Sequence, residues 1–242
     1  MRMRLLFGVL PAALLALNVA EGKEMETDTL ATAKGALVIT FIGHGTLMFA
    51  FEGKIIHVDP WSKLADYSKL PKADLVLVTH EHQDHLDTGA IKELRKEGTE
   101  VVATAVAAPQ IPGCLVMKNG ETKTVQGLRI EAVPAYNLVN KRPDGQPFHP
   151  KGSGNGYVIT FGDKRVYVAG DSENTPEMKA LTGLDCAFLP MNLPYTMTPD
   201  MVADAARAFK PKILYPYHRG DTDPAALTVL LKGSGIDLRL RP

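Results

Sequence analysis

From residue 36 onward the chain is written in short apolar runs broken by turn residues. "ALVITFIG" (36–43), "TLMFAFEG" (46–53) and "KIIHVDP" (54–60) are β-rich and separated by glycine-bearing turns, which predicts an antiparallel meander. "ADLVLVTH" is continuously apolar, as a strand buried on both faces should be. "LDTGAIKELRKEG" places Ile91 and Leu94 at helical spacing with charge opposite them and Gly98 as a stop. "EVVATA" is a further buried strand, and "AVAAPQI" a short helix or turn.

The second half uses the same grammar. "ETKTVQGLRIEAVPAYN" holds one or two strands, and "GYVITFGDKRVYVAGDSE" a hairpin turning at Gly162 and Asp163. "TPEMKALTG" and "TPDMVADAARAFKP" each open with threonine then proline, the cap and first position of a helix. "LDCAFLPMN" and "KILYPYHRG" are strands, and a helix in "DPAALTVLLKGSG" precedes a short basic tail. Each half thus runs strands first, then strands alternating with helices. The expected fold is α+β: two mixed sheets packed face to face with helices outside, a four-layer αββα sandwich. The halves are too dissimilar in sequence to mark a duplication.

The N-terminus departs from this pattern. Two arginines, an apolar run from Leu5 to Leu17 and small residues at Ala20 and Gly22 make residues 1–22 a signal peptide, too short for a comfortable membrane span. Residues 23–35 read as a polar linker and 36–242 as one compact domain. The expectation is an exported protein, periplasmic or extracellular, with no stable membrane insertion of the mature chain. Only Cys114 and Cys186 are available for a disulfide, so no disulfide scaffold exists, and a single bridge between them stays open.

Composition narrows the partners. Hydrophobic residues at 45% and charged residues at 22% are ordinary for a globular domain with a real core. Basic and acidic residues balance at 27 each with no basic stripe, which speaks against nucleic acid and leaves room for a small-molecule substrate, an anionic one included. Oligomeric state is not readable from the sequence.

The chemistry is concentrated in "LVLVTHEHQDHLDTG" (75–89). In an extended segment residues two apart face the same way, so His80 and His82 can converge on one ion. Asp84 and His85 follow the turn and can address a second ion. Imidazole and carboxylate without cysteine suit zinc, with Mn, Fe or Co as alternatives and one or two ions. Asp87 fits a helix cap or a group that orients a histidine. A nucleophile elbow, a phosphate-binding loop and a dinucleotide fingerprint are all missing from the sequence.

"THEHQDHLD" resembles the signature of the metallo-β-lactamase superfamily, and the resemblance continues through "FIGHGTLMF", "VAGDSE" and "YPYHRG". The branch it is most similar to contains ascorbate-phosphate lactonase and related metal-dependent hydrolases. The resemblance implies that His80 and His82 bind a first metal, that Asp84 and His85 bind a second, that Asp171 bridges them, and that His218 completes the second site. Many relatives carry a further histidine where this chain has Asn137, a weak neutral ligand. Either the first site is weaker here or another group completes it, and His149 is the obvious candidate. His44 and His57 are expected to hydrogen-bond behind the ligands or in the core, and Lys151 to offer charge to an anionic substrate. The expected mechanism is a metal-activated hydroxide attacking an ester, lactone, amide or phosphodiester, with Asp84 as the catalytic residue that orients the nucleophile and shuttles its proton. Tyr136, Tyr195 and Tyr217 lie near enough in sequence to supply an oxyanion donor. The alternatives are an exported metal- or ligand-binding protein with little turnover, and a di-iron redox member of the same fold.

Overall fold

The computed structural model describes residues 25–242; the expected signal peptide lies outside the described residues. The first half of the chain forms one seven-stranded sheet: β1 (Thr27–Thr32), β2 (Gly35–Gly43), β3 (Thr46–Phe51), β4 (Lys54–Val58), β5 (Leu75–Leu77), β6 (Glu100–Ala103) and β7 (Leu115–Val116), side by side in chain order. The second half forms another: β8 (Thr122–Val125), β9 (Leu128–Ala135), β10 (Gly154–Phe161), β11 (Lys164–Val168), β12 (Cys186–Pro190), β13 (Ile213–Tyr217) and β14 (Asp237–Leu238). β1 to β4 and β8 to β11 pair antiparallel, whereas the last three strands of each sheet join in parallel. The halves are therefore topological copies of one another, although their sequences do not show it.

The parallel strands need crossovers, and these supply the helices. α1 (Thr88–Leu94) links β5 to β6, α2 (Pro176–Lys179) links β11 to β12, α3 (Pro199–Phe209) links β12 to β13, and α4 (Ala225–Leu230) links β13 to β14. Asp87 caps α1 by accepting from the amides of Gly89 and Ala90, and Thr175 and Thr198 cap α2 and α3 ahead of proline. Three apolar layers separate the four structural ones. Leu37, Ile39, Phe49, Phe161, Phe188 and Tyr215 fill the space between the sheets. Val202, Ala206 and Phe209 of α3 seal the outside of the second sheet, and Ile91 and Leu94 of α1 seal the first. This is the expected αββα sandwich. Among the described residues no helix is long and apolar enough to cross a membrane.

Two expectations are corrected. The segment 23–35 is not wholly a linker: Thr27–Thr32 forms β1, paired in register with β2 from Thr27 opposite Thr40 to Thr32 opposite Gly35. As an edge strand it alternates exposed and half-buried positions and needs only Leu30 against the core, so its polar sequence hid it. The basic tail likewise contributes β14, which pairs with β13. Cys114 and Cys186 are both free thiols, Cys186 being buried between the sheets.

Candidate metal centre

The loops that follow β4, β5, β11 and β13 converge at one edge of the sandwich, beyond the carboxyl ends of the parallel strands where open sheets present their sites. After β5 the chain runs on to His80 and then bends at His82, whose carbonyl accepts from the amides of His85 and Leu86. That turn separates His80 and His82 from Asp84 and His85. Two groups of ligand atoms result, each packed within 4.8 Å: His80, His82, His149 and Asp171, and His44, Asp84, His85 and His218.

Asp171 stands between the two groups. Its Oδ2 lies 4.0 Å from His80 Nε2 and 3.3 Å from His149 Nε2, while its Oδ1 lies 3.4 Å from His85 Nε2 and 3.5 Å from His218 Nε2. In the second group Asp84 Oδ2 is 2.9 Å from His44 Nε2, 3.3 Å from His218 Nε2 and 3.6 Å from His85 Nε2. Asp171 is nearly sealed from solvent, whereas the Asp84 side chain is 32% exposed, so only the latter faces an approaching substrate.

Hydrogen bonds behind the ligands decide which nitrogen points inward. Asp59, buried just past β4 with φ +46°, accepts from His85 Nδ1 at 2.7 Å, from Thr79 Oγ1 at 2.6 Å and from the Thr79 amide at 2.7 Å. His85 is thereby held with Nε2 toward the centre. Thr79 Oγ1 also sits 3.0 Å from His80 Nδ1 and fixes that ring in the same sense. Two glycines make room. A Cβ on Gly45 would sit 2.8 Å from His85 Cε1 and 3.1 Å from His218 Cδ2, and one on Gly170, at φ +63°, would sit 2.8 Å from the Thr79 Cβ.

The electrostatics suit cations. Burial alone would raise the Asp171 carboxyl, yet the imidazoles of His218 and His85 hold it well below the usual carboxylate range. Burial likewise opposes ionisation of Asp84, and its bonds to His218 and His44 outweigh it. Burial would depress His85, but Asp171 and Asp59 carry it up to about 9. His80, with burial and the neighbouring His85 against it, is held well below its ordinary value and keeps a free lone pair. His80 Nε2, His85 Nε2 and Asp171 Oδ1 are buried with no hydrogen-bond partner. Orphaned buried polar atoms of this kind cost roughly 1–3 kcal/mol each unless something binds them. Imidazole and carboxylate donors converging on them fit Zn²⁺, and equally Mn, Fe or Co.

The expected ligands His80, His82, Asp84, His85, Asp171 and His218 all come together. Asn137 does not join them: its Oδ1 accepts from the His149 amide at 2.7 Å and from His149 Nδ1 at 2.8 Å, so it stands behind His149. His149 occupies the position left open, its Nε2 3.2 Å from His82 Nδ1. His44 was expected behind the ligands or in the core and instead lies in the second group, its ring tilted at 42° and 3.8 Å from the His218 ring. Lys151 turns away: its ammonium pairs with Glu177 at 2.7 Å and lies over the Tyr136 ring. Of the three tyrosines, Tyr217 is buried and accepts from the Gly170 amide, Tyr136 donates to Glu177, and the exposed Tyr195 packs its ring on Phe148. Asp59 and Thr79 are the residues that sequence reasoning missed. "VDPW" gave no signal beyond an aspartate at a strand end.

With this geometry established, the chain compares directly with known proteins. A family model described as a beta-lactamase superfamily domain matches residues 38–218. A UPF0173 metal-dependent hydrolase of Methanopyrus kandleri is 32% identical over 200 residues, covering 77% of this chain and 85% of that protein. A solved structure from Parabacteroides distasonis, named for the metal-dependent hydrolases, is 50% identical with TM-score 0.86, covering 90% of this chain and 98% of that one. A metallo hydrolase from Ignicoccus hospitalis is 26% identical with TM-score 0.69, covering 84% and 94%.

Proposed function

Since this chain belongs to the β-lactamase superfamily and is a metal-dependent hydrolase, we propose that its two ligand groups hold a pair of ions, zinc by donor chemistry, for hydrolysis of an ester, lactone, amide or phosphodiester bond in a small molecule. His80, His82 and His149 would hold the first ion, His44, Asp84, His85 and His218 would surround the second, and Asp171 would serve both. The carrying observation is the division of Asp171, one oxygen toward each group. When bound, such ions bring the pKa of a shared water down to about neutral and polarise the scissile bond.

The chain's own residues supply the rest. Asp84, the half-exposed carboxylate of the set, orients the attacking water and takes its proton for delivery to the leaving group. His44, 2.9 Å from Asp84 Oδ2, holds that carboxylate in place and ionised for the approach of water. Asp59 and Thr79 hold His85 and His80 so that no ring has to turn during the reaction. A protein that binds without turnover was suggested by Asn137 in a ligand's place, and His149 beside Asp171 removes that ground.

The test is turnover of the zinc-loaded protein on panels of esters, lactones, β-lactams and phosphodiesters, beside Asp84→Ala. The expected result is hydrolysis in one panel that falls by roughly 10²–10⁴-fold in the variant. Bound metal with no hydrolysis in any panel would count against an enzyme, and visible absorbance from bound iron would favour redox chemistry.

A further inference from the structure

Glu173 lies two residues past Asp171 and is fully buried. Its carboxylate takes four hydrogen bonds, all from neutral donors. Oε2 accepts from the amides of Leu138 and Val139, both at 2.7 Å, and Oε1 accepts from the Asn140 amide at 2.8 Å and Asn137 Nδ2 at 3.1 Å. A buried carboxylate costs several kcal/mol to desolvate, so its presence calls for a reason that a neutral turn would not meet.

The reason lies in what a carboxylate cannot do. It has no proton to give, so whatever faces it must donate. Asn137 therefore turns its amide nitrogen to Glu173, and the same Nδ2 donates to the Tyr195 carbonyl at 2.8 Å. Its Oδ1 is forced to the opposite side, where the His149 amide donates at 2.7 Å. The contact of 2.8 Å between that oxygen and His149 Nδ1 then requires the hydrogen on Nδ1. Nε2 is thereby turned to the centre, 3.3 Å from Asp171 Oδ2 and 3.2 Å from His82 Nδ1, on the side where an ion would sit.

We propose that Glu173 is a positioning residue for the first ion. It acts through Asn137 as a carboxylate–carboxamide–imidazole relay that sets the tautomer and pose of His149, and with them the affinity of that site alone. The inference rests on the reading of His80, His82, His149 and Asp171 as an ion site. It also explains why Asn137 can stand where a histidine ligand is expected: the ligand has moved to His149, and the asparagine has become its support. The three-residue segment Asp171–Glu173 then shapes the site twice, through the shared carboxylate and through the turn that carries Asn137. Ser172 assists, its Oγ accepting from the Tyr136 amide at 3.2 Å.

Two readouts on the full chain test it. In metal-free protein with ¹⁵N-labelled histidine, His149 signals, identified by their loss in His149→Gln, should report the Nδ1–H tautomer. Glu173→Gln and Asn137→Ala should give a mixture with the Nε2–H form. In zinc titrations against a competing chelator, one of two binding events should weaken by roughly 10–100-fold in both variants while the other holds. A pure Nδ1–H signal in both variants, an unchanged titration, or an equal weakening of both events would each overturn the relay. Should Glu173→Gln fail to fold, Asn137→Ala decides alone, since it leaves Glu173 bonded to the backbone of the turn. If the wild-type chain takes up no zinc, the ion-site reading falls and the tautomer measurement still decides the relay.

Discussion

Asp59, just past β4, and His85, in the turn between β5 and α1, meet at 2.7 Å, with neither side chain exposed to solvent. The carboxylate holds Nδ1 of the ring, which leaves Nε2 to the centre. Replacing Asp59 by Asn keeps the size but allows the amide nitrogen to face the ring and favours the wrong tautomer. Asp59→Asn should weaken zinc binding by roughly 10–100-fold, read by chelator competition. Unchanged affinity would mean that His85 is oriented by its packing alone.

Gly45 predicts a defect of geometry without a change of chemistry. A methyl there would sit 2.8 Å from the His85 ring, closer than atoms tolerate, and 3.1 Å from the His218 ring, close enough to push it aside. Gly45→Ala should leave the thermal transition near that of the parent while hydrolysis falls by about 10²-fold, the usual penalty for misplacing reactive groups by about 1 Å. Full activity would show that the ligand rings have more freedom than the packing suggests.

His57 in β4 governs an acid-side window of stability. Burial pushes its pKa from 6.5 down to about 4, and its bond to the Pro71 carbonyl recovers only part of that. The folded state thus resists the proton that the unfolded chain accepts. Its contribution is complete above pH 6.5 and is lost as pH falls toward 4, by about 3 kcal/mol at 1.36 kcal/mol per unit. Equilibrium denaturation of His57→Leu against the parent should show a stability difference that changes by about this amount across the window. A parallel offset at every pH would contradict the assignment.

Much of this was readable in advance, and the misses share a cause. The ligands in "THEHQDH" and the glycine-bounded strands are local patterns, carried by spacing and by the period of the strand. His44 was not readable because its role arises when the turn after β2 lies over the end of β13, where the His218 amide donates to the His44 carbonyl. The exchange between Asn137 and His149, twelve positions apart, depends on the path of the loop between β9 and β10, which no periodicity encodes. β1 was hidden because a polar edge strand needs little apolar sequence.

That edge strand is fastened to the other end of the chain. Asp28 receives hydrogen bonds from Tyr215, Arg239 and Arg241. Burial works against its ionisation, and the bonds from Arg241 and Tyr215 bring its pKa below 3.8 all the same. Asp28→Asn should lower the unfolding free energy by about 1.5–3 kcal/mol at neutral pH, as expected for charge-assisted bonds. Because the folded pKa is the lower one, the gap between parent and variant should be complete above about pH 4 and close as pH falls further. A gap that persists at low pH would point to packing of β1 instead.

The central claim is that two ion sites share Asp171. Zinc content per chain after equilibrium dialysis, for the parent and for Asp171→Ala, addresses it directly. The account predicts two tightly held ions in the parent and loss of tight binding at both groups in the variant, because each group loses one of its donors. A parent that never holds more than one ion, or a variant that keeps two, would contradict it.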